Sequence, residues 1–438
     1  MSTLKSKSYI QRLDGPLLLL YFLLVAIGFF SIYSVEHTSN SGDFFRMDQS
    51  YMRQLIFLGI GLMASIVILF TDSKFFPNIA YLSYACGILL LLLVLVVGRE
   101  VNGSKSFLTL GPIQIQPAEL VKFFTALSIS KFLSSLETNF ANNKHRMIAA
   151  GFALLPLLII IMQKETGLAL VYLSFFLAMY REGLPNIIVI IGLSVLALTM
   201  ATLLIPKNIL LIILTVLAGF VIFMNAKRIK RDKGILIVVL AIWGVGVLFS
   251  QVLVPFTFTK VLKTYQVQRI YTMIGQDVPA AYTGGVKITQ ESASEYNVRQ
   301  SKIAIASGGL LGKGYLNGAQ TKLNWVPEQR TDFIFCTIAE QFGFLGSAIL
   351  VILYLLMLFR LIHIAERQRS KFSRVFSYCV AGIIFFHILI NLGMTIGIAP
   401  VIGIPLPLVS AGGTSLITFT IMLFVVIRFD ADRNMILR

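Results

Sequence analysis

Charge is scarce in this chain. Only 13% of its 438 residues are Asp, Glu, Lys or Arg, while 57% are hydrophobic and the mean hydropathy is +0.83. A soluble domain carries about a quarter of its residues as charges, so that class is excluded. Acids are scarcer than bases, 20 against 37, which leaves a formal net charge of +17. A nucleic-acid binder would gather those bases on one polar module. Here they are dispersed over connections between apolar stretches, which fits membrane orientation instead. Cysteine is almost missing, and Cys86, Cys336 and Cys379 lie in or beside apolar runs, where they read as small core residues rather than disulfide partners or metal ligands. The four histidines, His37, His145, His363 and His387, are scattered, and no pair has the spacing of a zinc helix, so a histidine-based metal site is not expected. A cleavable leader is not expected either. The first apolar stretch, about Pro16 to Val35, is long enough to span and leads into Glu36-His37-Thr38, so it reads as a retained helix.

Long apolar runs are what the sequence has in abundance. Runs centred near Leu20, Gly61, Leu91, Ala126, Leu157, Ser174, Ser194, Val216, Val245, Leu350, Ile384 and Ile421 predict an all-α integral membrane protein of about 10–12 transmembrane helices, a single polytopic domain over 1–438. The junctions at Gln163-Lys164-Glu165 and Pro206-Lys207-Asn208 are either loops or breaks within one helical element. Lys and Arg are retained on the cytoplasmic side of short loops. Lys5, Lys7 and Arg12, then Lys144 to Arg146, Lys227 to Arg231, Arg367 to Lys371, and Arg428 with Arg433 and Arg438 all obey one orientation, with both termini in the cytoplasm.

That orientation puts most of the unusual polar chemistry outside: Arg53-Gln54, the Arg99-to-Gln116 connection, Gln163-Lys164-Glu165, a long polar segment at 257–330, and the Pro/Gly-rich Gly397 to Pro407. Long ordered loops usually carry function. The segment 257–330 is itself basic, which an anionic ligand would favour. Within it, Ser307-Gly308-Gly309-Leu310-Leu311-Gly312-Lys313-Gly314 resembles a nucleotide phosphate loop but fails on spacing, since Ser307 and Gly314 stand where Gly and Ser or Thr are needed. It is expected to be a flexible re-entrant or lid segment. Asp277, Glu291 and Glu295 are the loop's candidate general bases, each a solvated surface carboxylate if taken alone.

Three further charged groups are costly where they fall: Glu119 and Lys122 at the start of the fourth helix, and Glu165 between the fifth and sixth. Glu119 and Lys122 are three apart on one helix face, so a self-neutralising pair competes evenly with a functional one. Asn102-Gly103-Ser104-Lys105-Ser106-Phe107 can bring backbone N–H groups and Lys105 to a phosphate, or simply turn the chain into helix four. Thr331-Asp332-Phe333 reads as a helix cap as readily as a site.

Several blocks resemble those of the SEDS family (shape, elongation, division and sporulation). They are Arg53-Gln54, Asn102-Gly103-Ser104-Lys105, Gln116-Pro117-Ala118-Glu119-Leu120-Val121-Lys122, Tyr296 to Ile305 with Gln300-Ser301, Ser307-Gly308-Gly309, Gly312-Lys313-Gly314, Pro327-Glu328 with Thr331-Asp332-Phe333, and Pro405 to Ser415 including Ser410. The resemblance implies a peptidoglycan glycosyltransferase of the bacterial inner membrane that polymerises lipid II at the outer leaflet and works with a class B penicillin-binding protein. It favours cell elongation, with a division-type homologue as the alternative. It implies a catalytic aspartate in the long loop, before a Gly-x-Gly-Tyr-Asn block. Here that block is Ala293-Ser294-Glu295-Tyr296-Asn297, so Asp277 takes the position if the loop carries an insertion and Glu291 if it does not. Arg53, Lys105, Lys122 and Arg269 are the expected cations for the donor diphosphate, with a divalent ion, Mg²⁺ or Mn²⁺, as a further expectation. Gln163-Lys164-Glu165-Thr166-Gly167 stands where the family usually has Gln-Pro-Asp-Leu-Gly. The family usually has ten helices, so two extra spans are expected at about 184–256. A lipid-linked precursor transporter and a scaffold of the cell-wall machinery are the rival functions.

Overall fold

An apolar segment in lipid satisfies its backbone polar groups by winding into a helix, since no water is there to take them. The computed structural model describes residues 13–36, 49–101, 104–110, 113–140, 142–262, 266–267, 270–271, 278–279 and 293–433. Among these, ten helices are long and apolar enough to cross a membrane. The helix Pro117–Ser134 and the shorter apolar stretch Thr166–Arg181 also coincide with predicted runs, so each of the twelve predicted centres lies on helical chain. The chain divides into two units, residues 1–184 with 297–438, and 185–296.

The first unit opens with α1 (Gly15–Glu36), α2 (Ser50–Phe70) and α3 (Phe75–Val97). A small antiparallel sheet follows, β1 (Arg99–Val101), β2 (Ser104–Leu110) and β3 (Ile113–Ile115) in that order. Next come α4 (Pro117–Ser134), α5 (Asn143–Met162), α6 (Thr166–Val171) and α7 (Phe175–Arg181). Gln163 to Glu165 is a true break, with Lys164 at φ 67°.

In the second unit, α8 (Asn186–Leu204), α9 (Lys207–Met224) and α10 (Gly234–Leu248, with helical turns continuing to Val261) carry largely exposed apolar side chains, as lipid-solvated helices do. These residues fall where the two extra spans are expected. Leu203, Val254, Phe258, Val267 and Tyr271 form a small buried cluster there.

The chain re-enters the first unit through α11 (Ala293–Gly308), followed by α12 (Ala319–Lys322), α13 (Ile334–Arg367), α14 (Lys371–Ile396) and α15 (Gly413–Ala431). At the end that the charge rule assigns to the cytoplasm, Asp14 accepts from Arg360 Nη2 at 2.7 Å and Arg367 Nη2 at 2.6 Å, and Arg367 also holds Asp430. That network ties together the ends of α1, α13 and α15.

Helix α13 is interrupted at Gly343, which sits at φ 63°, ψ −158°, a region open to glycine. A Cβ there would stand 2.4 Å from the Gly312 nitrogen. The break removes two helical hydrogen bonds, and the segment after α11 restores both. Lys313 and Gly314 N–H groups donate to the Glu340 and Gln341 carbonyls at 3.0 Å each, while Phe344 and Leu345 N–H groups donate to Gly309 and Leu310 at 2.9 and 3.1 Å. The expectation of a flexible lid at Ser307 to Gly314 is therefore corrected. Four backbone bonds knit this segment into the helix, because a broken helix in an apolar setting must find other partners.

Candidate active site

The structure gathers several of the predicted residues at the opposite end of the first unit, the end that the charge rule assigns to the outside. Gln116 precedes α4, and its N–H donates to Thr414 Oγ1 at 3.2 Å, which joins the starts of α4 and α15. Pro117 at the first helical position pre-sets φ and lacks only an N–H that would be unpaired there. The first turns of α4 then place Glu119 and Lys122, both buried, 2.8 Å apart. Lys122 is fully enclosed. Besides Glu119 it meets His387 Nε2 at 2.8 Å and the Phe419 ring, whose centroid is 5.1 Å away. Neither oxygen of Glu119 makes a well-aligned hydrogen bond, so the ion pair is its whole compensation among the described residues.

The irregular segment from Gly397 to Gly412 sits beside this pair, and its backbone is satisfied by side chains from the surrounding helices. His387 Nδ1 lies 3.0 Å from the Pro405 carbonyl, and Asn391 Nδ2 donates to the Ile404 carbonyl at 2.7 Å and the Asp332 carbonyl at 2.8 Å. Tyr354 donates to Pro407. The Ser410 hydroxyl donates to the Thr331 carbonyl and accepts from the Leu406 N–H at 2.8 Å, while the Ala411 N–H donates to Arg330 at 2.8 Å. Gln54 Nε2 donates to the Ser410 carbonyl at 3.2 Å. Ser410, Asp332 and the Arg53-Gln54 block thus meet at one place, with Arg53 itself exposed.

Glu165 anchors the sheet. Ser104 and Ser106, two apart and so on one face of β2, donate to its Oε1 at 2.6 and 2.7 Å. Lys105, between them, is exposed. Gly167 then lets the start of α6 meet the Ile402 carbonyl, which a Cβ would approach to 2.4 Å.

The remaining predicted residues separate. Ser301 donates to the Thr395 carbonyl at 3.0 Å, a buried contact between α11 and α14, and Gln300 beside it is buried. Glu328 is exposed at φ 57° and accepts from the Thr331 hydroxyl at 2.9 Å, which closes a local turn. Phe333 is the N-cap of α13 and makes no side-chain cap bond. Arg269, Asp277 and Glu291 lie outside the described residues.

Sequence reasoning passed over His387 and Asn391, although their i,i+4 spacing put both on one face of an apolar helix. It also passed over Glu340, a buried carboxylate that Lys313 meets at 2.7 Å, and Glu36, which accepts from Arg330 at 2.6 Å. Charges at the ends or breaks of spanning helices were the available signal.

Relatives of known kind match along nearly the whole chain. The peptidoglycan glycosyltransferase RodA of Treponema pallidum is 30% identical over 431 residues, covering 93% of this chain and 95% of that protein. The peptidoglycan glycosyltransferase MrdB of Escherichia coli K12 is 29% identical, covering 97% and 95%. Among solved structures, a chain from "Structural coordination of polymerization and crosslinking by a peptidoglycan synthase complex" superposes with a TM-score of 0.68 at 27% identity, covering 96% of this chain and 98% of that one. The rod shape determining protein RodA of Thermus thermophilus gives a TM-score of 0.60 at 25% identity, covering 97% and 98%. This is a multi-pass protein of the bacterial inner membrane. A family model described as cell cycle protein, FTSW_RODA_SPOVE, matches residues 16–234 and 190–435, and the chain belongs to that family.

Proposed function

We propose that this protein is a peptidoglycan glycosyltransferase that polymerises lipid II at the outer leaflet during cell elongation. The observation that carries the reading is the buried Glu119–Lys122 pair, braced by the irregular Pro405 segment, in a chain similar to glycosyltransferases along nearly its whole length. An enclosed cation held ready at a helix start is suited to stabilising charge that grows on a departing diphosphate.

In the proposed reaction the acceptor sugar's 4-hydroxyl oxygen attacks the anomeric carbon of the donor. A loop carboxylate, Asp277 or in its place Glu291, takes the hydroxyl proton. The bond from the anomeric carbon to the diphosphate breaks with inversion, and the polyprenyl diphosphate leaves. Arg53, Lys105, Lys122 and Arg269 are the proposed cations for that leaving group. Gln300, Ser301, Glu328, Asp332 and Ser410 are proposed to shape the outer loops around the substrate, and Glu165 to hold the sheet that carries Lys105. A divalent ion, Mg²⁺ or Mn²⁺, is proposed as a further aid to the leaving diphosphate; among the described residues no group of three His, Cys, Asp or Glu side chains converges to hold it. The proposed partner is a class B penicillin-binding protein, in keeping with the synthase-complex chain that this fold matches.

The test is purified protein with lipid II, with and without a transpeptidase partner, reading glycan chain length. Asp277→Ala is expected to abolish polymer, and full activity there with loss in Glu291→Ala would move the base. Precursor movement across liposomes without polymerisation would establish the transporter instead. Retention of polymer formation by the cell-wall machinery after replacing every loop carboxylate would leave a scaffold.

A further inference from the structure

We infer that His387 is a positioning residue for Lys122, acting as a neutral second acceptor that fixes the ammonium against Glu119 and ties it to the Pro405 segment. The inference rests on the proposed role of Lys122 at the donor diphosphate.

An ammonium group has three N–H donors and no acceptor, and in an enclosed site each unmet donor is costly. Around Lys122 the structure supplies the Glu119 carboxylate from α4, His387 Nε2 from α14 and the face of Phe419 from α15. The tautomer follows from the other ring nitrogen. Nδ1 lies 3.0 Å from the Pro405 carbonyl, which can only accept, so Nδ1 carries the proton. Nε2 of the neutral ring then presents a lone pair, 2.8 Å from Lys122 Nζ. The ring is held edge-on to Phe419, with centroids 5.0 Å apart, which fixes its plane.

A neutral acceptor has a particular merit here. A second carboxylate would make the cluster net negative and repel a diphosphate, whereas imidazole leaves it at zero with the cation intact. One turn on, Asn391 binds the Ile404 and Asp332 carbonyls, so α14 presses two consecutive carbonyls of the outer segment with two side chains at i and i+4. Lys122 is thereby registered to the same backbone that Ser410 fastens to Thr331.

The experiment compares two amides. Asn places a nitrogen where Nδ1 stands and keeps the Pro405 bond while losing the acceptor for Lys122. Gln reaches the Nε2 position and keeps that acceptor. In lipid II polymerisation per folded molecule, His387→Asn is expected to lower kcat roughly 10- to 100-fold with KM changed by about twofold or less, and His387→Gln to stay within about threefold of the parent. Full activity in the Asn variant, or equal loss in both, overturns the inference. Lys122→Met is run alongside: its full activity would sink the proposed role of Lys122 rather than the contact. Should the Asn variant not fold, thermal unfolding of His387→Leu, Lys122→Met and the double variant decides. A double cost smaller than the sum supports the contact, and additivity overturns it.

Discussion

The Lys313 ammonium lies 2.7 Å from Glu340 Oε1, and the same carboxylate accepts the backbone N–H groups of Gln320 and Thr321 at 2.9 and 3.0 Å. One buried acid thus collects the segment between α11 and α13 and holds it at the break in α13. Lys313→Met is expected to destabilise the protein by roughly 2–3 kcal/mol, below the usual cost of breaking a fully buried pair because the Lys313 side chain is 31% exposed and two backbone donors remain. Lys313→Arg should recover most of that. Thermal unfolding in detergent checks both, and an unchanged midpoint in the Met variant would mean that the pair does not hold the segment.

Gly343→Ala tests the break itself. The alanine methyl would meet the Gly312 nitrogen at 2.4 Å in a backbone region that L side chains rarely adopt. A loss of about 3 kcal/mol or more is expected. Gly151→Ala, inside α5, would meet nothing within 4 Å, so it should cost little or nothing. Equal midpoints for the two variants would contradict the strained-break account.

Asp14 predicts a pH dependence. Burial pushes its carboxyl pKa up, but hydrogen bonds from Arg360, the Leu17 N–H and Arg367 outweigh that and leave it below its ordinary 3.8. A depressed folded pKa contributes stability that is complete above the unfolded value and is lost as pH falls through the folded one. Between neutrality and about pH 3 the parent should therefore lose more unfolding free energy than Asp14→Asn, which lacks the titration. Parallel curves for the two proteins would remove Asp14 from the acid response.

Much of this was legible in the sequence, and the reason is the solvent. Lipid forces helices wherever apolar runs are long, so all twelve predicted centres fall on helical chain even though α4 carries a buried Glu and Lys. The charge pairs were half legible. Glu119 and Lys122 are neighbours by helical spacing, whereas His387, 265 residues beyond Lys122, is brought in by tertiary packing alone. Local chemistry also misled at Ser307 to Gly314. Its glycines suggest mobility, but they serve a close backbone approach to a helix that the sequence does not show as broken. The order of Ser104, Lys105 and Ser106 suggests either a phosphate loop or a plain turn into helix four, and neither reading shows what its serines bind. Its serines in fact face a carboxylate supplied by a break sixty residues away, at Glu165.

Glu119 and Lys122 admit a test that separates a helix-stabilising pair from a catalytic one. Lys122→Met strands a buried carboxylate and should cost roughly 3–5 kcal/mol. Lys122→Met with Glu119→Gln removes both charges, so most of that stability should return. A pair that serves only the fold would recover polymerisation along with stability. The expected outcome is a folded double variant whose kcat stays down by at least about 100-fold, because the diphosphate has lost its cation. Recovery of the rate would reduce the pair to a structural device.

Glu165 supports a prediction about Lys105, to which it is joined through β2. Two serines share one of its oxygens, and strand alternation turns Lys105 to the opposite face, so the carboxylate sets the register in which that cation is offered. Glu165→Gln keeps an oxygen in place for both hydroxyls and should retain activity to within about fivefold. Glu165→Ala leaves Ser104 and Ser106 buried without that acceptor, which costs roughly 1–3 kcal/mol locally and frees the sheet from the α5–α6 break. If the sheet serves donor binding, the Ala variant raises KM for lipid II more than it lowers kcat, and Lys105→Ala in that background adds little. Independent, multiplying effects of Glu165→Ala and Lys105→Ala on KM would show that the two residues act separately, and the sheet would then be a support for α4 rather than a carrier of Lys105.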